Sequence, residues 1–371
     1  MMHPRRLTLA HVDTGPGLRG GQVQLLMLAR QLAARGHRQV IVCPDKSPLA
    51  MRAQGEGFQI FPLPAFDPGH LHGAVLLRAE LVTLQPDIIH AHDGVAQTIA
   101  WLAGMRTRVK LVASRRVTFL PARPLDYRLK YTYTADAVIV VSEFVRQIVV
   151  RSGVPPAKVE LIPDGVELPH VFADPEARRR MRAEWGFDEA DFVIGHLGAF
   201  TSEKGQDIAV RAFVQVAAKL PQARLILAGE GYEDAPKRLG LKAPNTTLRF
   251  IHPLQNPSEF FSALDLYLMP SRSEGFGSSA LLAMAHGLPV VAARAGGLPE
   301  LIEEGSTGWL ADPESPSSLA AAIIEASSDP SRLGILGQNA RRRAEDFSAD
   351  KMAARTEALY YLLIAQGAAP G

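Results

Sequence analysis

One cysteine, Cys43, stands in 371 residues. A lone thiol cannot close an internal disulfide, and no cluster of cysteine and histidine has zinc-ligand spacing. Excess charge is equally scarce. Forty Lys and Arg against 38 Asp and Glu leave a formal +2, far from the concentrated basic field of a nucleic-acid-binding chain, so no nucleic acid is expected as a partner. Long apolar runs are missing as well. The stretch Leu7 to Ala10 is interrupted by His11 and Asp13, too short for a signal peptide, and no segment approaches the roughly 20 apolar residues that span a bilayer. Together these absences predict a cytoplasmic chain, at most peripheral at the inner face of the membrane.

What is present is a globular composition, 47% apolar and 21% charged, on a chain long enough for two cores. Short β-branched runs alternate with segments of helical period. Leu7–Val12, Gln39–Cys43, Ile60–Leu63, Asp87–His90, Leu111–Ser114 and Ala137–Val141 read as buried strands, with helices such as Gln22–Arg35 and Leu71–Leu84 between them. The pattern resumes at Phe192–His196, Arg224–Ala228, Leu248–Ile251, Leu266–Met269, Val290–Ala293 and Trp309–Ala311. Alternation of this kind predicts parallel sheets covered on both faces. The expected architecture is α/β: two Rossmann-like domains, residues 1–168 and 169–347, facing each other across a cleft. A hinge is placed at Pro163 to Pro169. A last helix, Ser348 to Ala365, has Met352, Leu359, Leu362 and Leu363 on its apolar side and is expected to pack back on the first domain within segment 348–371. Open α/β sheets bind ligands beyond the carboxyl ends of their strands, so the site is expected between the halves.

Three loops carry chemistry. Asp13 to Gly21 follows the first strand and precedes a helix, where glycines such as Gly20 and Gly21 allow close backbone approach and a helix start attracts anions. Its spacing is not that of a dinucleotide loop, and Pro16 removes one donor. It is either a structural turn or a loop that closes over a diphosphate or acceptor. Gly198 to Gly205 follows a strand in the second half, with Lys204 as a point charge suited to a diphosphate. Ser271-Arg-Ser-Glu-Gly-Phe-Gly-Ser-Ser279 follows strand and Pro270 and opens an apolar helix. There Gly275, Phe276, Gly277 and Ser278 bring backbone amides toward a phosphate, and Glu274 either accepts sugar hydroxyls or caps amides.

Gly198 to Gly205, Glu274-Gly-Phe-Gly277, Ala283-Met-Ala-His-Gly-Leu-Pro-Val-Val291, Gly296-Gly-Leu-Pro-Glu300 and Thr307-Gly-Trp-Leu310 resemble, in order, the motifs of glycosyltransferase family 4, and Gly20-Gly21, Arg35-Gly-His37 and Ile88-Ile-His-Ala-His92 fit it too. The resemblance covers most of the chain. It implies the GT-B fold, a nucleoside-diphosphate sugar as co-substrate held by the C-terminal domain, no metal ion, no other cofactor, and transfer with retention to a glycan or lipid-linked acceptor in envelope polysaccharide or lipopolysaccharide assembly. On this reading His92 and Glu274 are the catalytic residues. Gly20, Gly21, Lys204, Gly275, Phe276, Gly277, Ser278, Arg115 and Arg116 bind substrate. His90 is read as core.

The chain departs from the family pattern at three places. Leu282 replaces a second glutamate thought to hold ribose hydroxyls, Ala199 replaces an arginine of the first donor loop, and Arg116 stands about where a histidine often follows the fifth strand. Arg115 or Arg116 is expected to supply the cation missing at Ala199. Two other readings compete: a non-catalytic nucleotide-sugar binder or regulatory subunit, and a sugar-nucleotide epimerase of the same fold. Arg115, Arg116, Arg123, Arg128 and Lys130, interleaved with Phe119, Leu120, Leu125, Tyr127, Tyr131 and Tyr133, form either a membrane-surface patch or a solvated helix. Arg178 to Arg180 with Arg182 are expected on a solvated helix face.

Overall fold

The computed structural model describes residues 5–64, 71–104, 109–119, 124–169, 173–231, 247–251 and 257–367. The chain divides into two compact units, residues 1–165 with 349–371, and residues 166–348.

In the first unit the described residues form a seven-stranded parallel sheet from β1 (Thr8–Val12), β2 (Arg38–Pro44), β3 (Gln59–Leu63), β4 (Ile88–Ala91), β5 (Lys110–Arg115), β6 (Ala137–Val140) and β7 (Val159–Leu161), in spatial order 3-2-1-4-5-6-7. The central strands β4 and β6 are buried along their whole length, as expected where helices cover both faces. Pro62 sits in β3 without breaking a ladder because β3 is an edge. β7 is the strand that the sequence reading leaves as loop; it has three residues, one of them exposed, and so carries no apolar run.

The helix Ala349–Gly367 completes this unit: Met352, Ala353, Tyr360 and Leu363 join Leu7, Leu9, Leu28, Ile88 and Ile139 in one core. Leu362, placed by period on the apolar side, is instead 54% exposed. Glu357 fixes the helix from outside, 2.7 Å from His37 Nε2 and 3.1 Å from Arg35 Nη1.

The second unit holds six described parallel strands, β8 (Phe192–Leu197), β9 (Ala223–Ala228), β10 (Leu248–Ile251), β11 (Leu266–Met269), β12 (Val290–Ala293) and β13 (Gly308–Ala311), in order 10-9-8-11-12-13. Its first helix, Pro175–Trp185, is started by the Asp174 carboxylate accepting from the amides of Glu176 and Ala177, and stopped by Gly186 at φ 72°. Arg182 of that helix is not on a solvated face. It is buried, donating to the carbonyls of Ala263 (2.9 Å) and Asp191 (2.9 Å) and to Asp265 Oδ2 (2.7 Å). Asp265 also accepts from the amide of Val193 at the start of β8, so one carboxylate satisfies both a buried guanidinium and a strand end.

Each sheet has one point where strand order reverses, between β1 and β4 and between β8 and β11. At such a point the loops leaving adjacent strands diverge and open a crevice. The three candidate loops follow β1, β8 and β11.

Candidate active site

In the second unit the loops after β8 and β11 meet. Lys204 Nζ lies 2.5 Å from Glu274 Oε1, and the Ser271 hydroxyl donates to the same oxygen at 2.9 Å. Glu274 is buried while Lys204 is partly exposed. The meeting depends on glycine. Gly205 has φ 67°, and a Cβ there would stand 2.1 Å from the Pro270 carbonyl oxygen, so only a residue without one lets the two loops touch. Arg272 locks the contact. Its guanidinium pairs with both oxygens of Asp207 at 2.8 Å each and with the Ser202 carbonyl at 2.7 Å, and its amide donates to Glu203. Asp207 is held below the usual carboxylate range chiefly by these bonds from Arg272. Beneath the first loop, Gln206 Nε2 donates to the Ala199 carbonyl at 2.9 Å.

Gly277 and Ser278 form the entry to the helix Ser278–Ala285, directly beyond Glu274. Gly275 and Phe276 lie in the loop before it, and both are buried. The Phe276 ring turns into the core, 5.1 Å from that of Phe347 in an edge-on contact, which leaves only its backbone at the loop. Leu282 lies on the same helix, half-buried.

In the first unit the carboxyl ends of β1, β4, β5 and β7 bring together Asp13, His92, Asp93, Arg116 and Asp164. His92 Nε2 is 3.0 Å from His11 Nδ1, His11 Nε2 is 2.8 Å from Gln39 Oε1, and Arg116 Nη1 is 3.5 Å from His92 Nδ1 while its Nε donates to Asp164 at 3.0 Å. Register explains the grouping: His11 is paired with His90 across β1 and β4, and His90 and His92, two residues apart, share a face with rings stacked at 4.1 Å. His90 is core, bonded to the hydroxyls of Tyr360 (2.6 Å) and Ser114 (2.8 Å). Burial pushes His11 down to about 4, and burial with its neighbours His90, Arg116 and His11 keeps His92 neutral far below its usual range. Burial, then the nearby Asp93, pushes Asp13 up to about 6.

The ring atoms of His11, His90 and His92 approach one another closely enough to ligate an ion. Each of these nitrogens already has a hydrogen-bond partner, and the guanidinium of Arg116 beside them opposes a second cation.

Gly20 and Gly21 are the first residues of the helix Gly20–Ala34, and a Cβ on either would meet nothing within 4 Å. Arg115 and Arg116 part company. Arg115 is buried with its guanidinium over the Phe119 ring, donating to the Phe119 carbonyl, and only Arg116 reaches His92. The basic and aromatic stretch is not one surface, since Tyr131 is buried and Lys130 donates to the Gly94 carbonyl, whereas Phe119 and Tyr133 are exposed. Leu120 and Arg123, and the side chains of Leu125 and Tyr127, lie outside the described residues. No helix among the described residues is long and apolar enough to cross a membrane.

Residues 18–169 match the model of Glycosyltransferase Family 4, and residues 177–343 match that of Glycosyl transferases group 1. D-inositol 3-phosphate glycosyltransferases of Mycobacterium bovis and Mycobacterium tuberculosis are 32% identical to the chain across 93% of it and 80% of their own length. The chain belongs to glycosyltransferase family 4. The enzyme also resembles the Anabaena protein HepE solved in complex with UDP and glucose, with a TM-score of 0.84 at 22% identity over 96% of this chain and 100% of that one. Sucrose-phosphate synthase from Thermosynechococcus elongatus follows at 0.78 and 22% over 97% and 100%. WaaG, described as a glycosyltransferase involved in lipopolysaccharide biosynthesis, stands at 0.72 and 17% over 95% and 99%. These likenesses show the fold, and the two units of this glycosyltransferase are the Rossmann-like domains of GT-B.

Asp207, Arg272, His11 and Gln39 belong to these sites without a mark in the sequence of the glycosyltransferase. Arg272 lies inside a recognisable loop, but its partner is 65 positions away; His11 reads as one more buried position of a strand. Strand order and register would have been needed to find either pair.

Proposed function

We propose that this glycosyltransferase moves a sugar, with retention of configuration and without a metal ion, from a nucleoside-diphosphate sugar to a hydroxyl of a glycan or lipid-linked acceptor, in envelope polysaccharide or lipopolysaccharide assembly at the cytoplasmic side of the membrane. The observation that carries this reading is the Lys204–Glu274 contact at the switch point of the second sheet. A mobile ammonium beside a helix entry is matched to a diphosphate, and a buried carboxylate released from it is matched to sugar hydroxyls. The binding of UDP and glucose by the HepE structure agrees with it.

In this mechanism Lys204 and the backbone of Gly275 to Ser278 hold the diphosphate, Glu274 orients the donor sugar, and the loop at Gly20 and Gly21 with Arg116 and His92 receives the reacting hydroxyls. Displacement proceeds on the front face: the bond from the anomeric carbon to the leaving phosphate oxygen breaks as that oxygen takes the acceptor proton, and the acceptor oxygen bonds to the same face. The protein contributes positioning and charge stabilisation.

Thermal-shift and calorimetric titration with UDP, GDP, ADP, CMP and their common sugar conjugates tests the reading. One nucleoside diphosphate is expected to raise the melting temperature with the logarithm of its concentration over its dissociation constant, and Lys204→Ala to abolish that rise and lower donor hydrolysis about 100-fold. Equal response of the wild type and Lys204→Ala would remove the diphosphate role.

A further inference from the structure

The polar chain under the first sheet's switch point has a direction. At its deep end Gln39 Nε2 donates to the His37 carbonyl at 3.2 Å, which turns Oε1 toward His11. A carbonyl oxygen only accepts, so His11 Nε2 must carry the proton and Nδ1 the lone pair. His92 Nε2 then donates to His11 Nδ1 at 3.0 Å, and the lone pair of His92 falls on Nδ1. The other end favours the same arrangement through a longer and weaker contact, because the guanidinium facing His92 Nδ1 is a donor that cannot give up its charge. Both ends therefore select one tautomer of His92. Of the three clustered histidines His11 is the most removed from solvent, at 0% exposed, whereas His92 keeps 6%, so the chain meets solvent at the His92 end.

The contact at that end is loose. At 3.5 Å, Arg116 Nη1 stands at the outer limit of a hydrogen bond to Nδ1. A hydroxyl oxygen placed beside the pair accepts from Arg116 and donates its proton to Nδ1, satisfying both better than they satisfy each other.

We infer that His11 and Gln39 are positioning residues that hold His92 as the Nε2–H tautomer, so that its Nδ1 acts only as an acceptor and, with Arg116, selects a substrate group that both donates and accepts, namely a sugar hydroxyl. This rests on the proposed function in assigning substrate to the His92 end, while the tautomer itself does not depend on turnover. The role differs from that of a general acid: His92 has no proton at Nδ1 to give. An ether, or a deoxy position, cannot donate to Nδ1 and leaves a buried lone pair unmatched, which is the basis of selection.

The experiment is long-range proton–nitrogen correlation NMR on the full chain labelled with [15N]histidine, with His92→Gln identifying the resonances, alongside steady-state kinetics on whichever donor stabilises the protein. His92 is expected as the pure Nε2–H tautomer from pH 6 to 8. His11→Leu is expected to convert it to a mixture and to lower kcat about 10- to 100-fold with the donor KM little changed. His11→Asn places an amide oxygen near the former Nδ1 and is expected to restore both the tautomer and most of the turnover, and Gln39→Leu to give an intermediate loss. Melting temperatures separate these effects from misfolding. An Nδ1–H tautomer in the wild type, or an unaltered tautomer in folded His11→Leu, overturns the chain. A tautomer that changes while turnover does not overturns the positioning role and leaves the donor site, read separately through Lys204→Ala, intact.

Discussion

Gly296 lies against Glu274 so closely that a Cβ on it would stand 1.9 Å from the Glu274 carbonyl oxygen, and the amide of Gly297 donates to that oxygen at 3.0 Å. The loop after β12 thus sits directly against the backbone of the residue whose carboxylate is paired with Lys204. Gly296 also has φ 58°, which an L side chain adopts only with strain. Gly296→Ala is expected to cost about 2–4 kcal/mol in urea unfolding and to displace Glu274, so that stabilisation by nucleoside diphosphate falls even in folded protein. Wild-type stability in the variant would mean the two loops separate freely.

The Asp207–Arg272 pair joins the segments that follow β8 and β11, and the direction of its pH dependence follows from its geometry. The folded carboxyl lies below its usual value because of Arg272, so the folded state binds fewer protons than the unfolded chain. Its contribution is complete above about 3.9 and is lost as pH falls through the lower folded value. Asp207→Asn is expected to destabilise by about 2 kcal/mol at pH 7, with the difference from wild type shrinking below about pH 4. Urea titrations at pH 7 and at pH 3 check this, and a difference independent of pH would assign the pair no electrostatic part.

Asp13 runs the other way. Burial and Asp93 raise its carboxyl from 3.8 to about 6, so the folded state binds the extra proton and stability declines as pH rises between those values, then stays low. An asparagine oxygen can still accept from the Gly15 amide and Gln22 Nε2, which the aspartate does now at 2.9 Å each. Asp13→Asn is therefore expected to be more stable than wild type at pH 8, with a ceiling of about 3 kcal/mol from that span, and no more stable at pH 4. A variant less stable at pH 8 would show that the ionised carboxylate is held by contacts that asparagine cannot replace.

All twelve of the predicted strands overlap observed ones closely, because a strand buried on both faces has to be a β-branched apolar run and such runs are visible. The Asp87 start is one residue early for a physical reason: Asp87 turns back to accept the amide of Thr8 at 2.8 Å instead of entering β4. The loops after β8 and β11 were legible as strand, glycine-rich turn and helix. Arg182 was not, since inside the run Arg178-Arg-Arg-Met-Arg182 only three-dimensional position marks it as the buried member; Arg178 pairs with the same Asp265 from a partly exposed place. The same holds for Lys204 with Glu274, 70 positions apart, and for His11 with His92, 81 apart. Local pattern reports which face of an element is apolar; it does not report what another element places opposite.

The closing of the first core by the helix Ala349–Gly367 has a consequence for biosynthesis. A ribosome delivers β1 to β7 first, yet the side chains of Leu7, Leu9, Ile88 and Ile139 are covered only in part, by Met27, Leu28 and Leu32 of the helix Gly20–Ala34, until the helix Ala349–Gly367 emerges. The second unit is contiguous, residues 166–348, and so is complete before the first. The usual N-terminal-first order of domain maturation is thereby reversed, and the nascent chain carries a partly open apolar sheet face through most of its synthesis, a natural client surface for a chaperone.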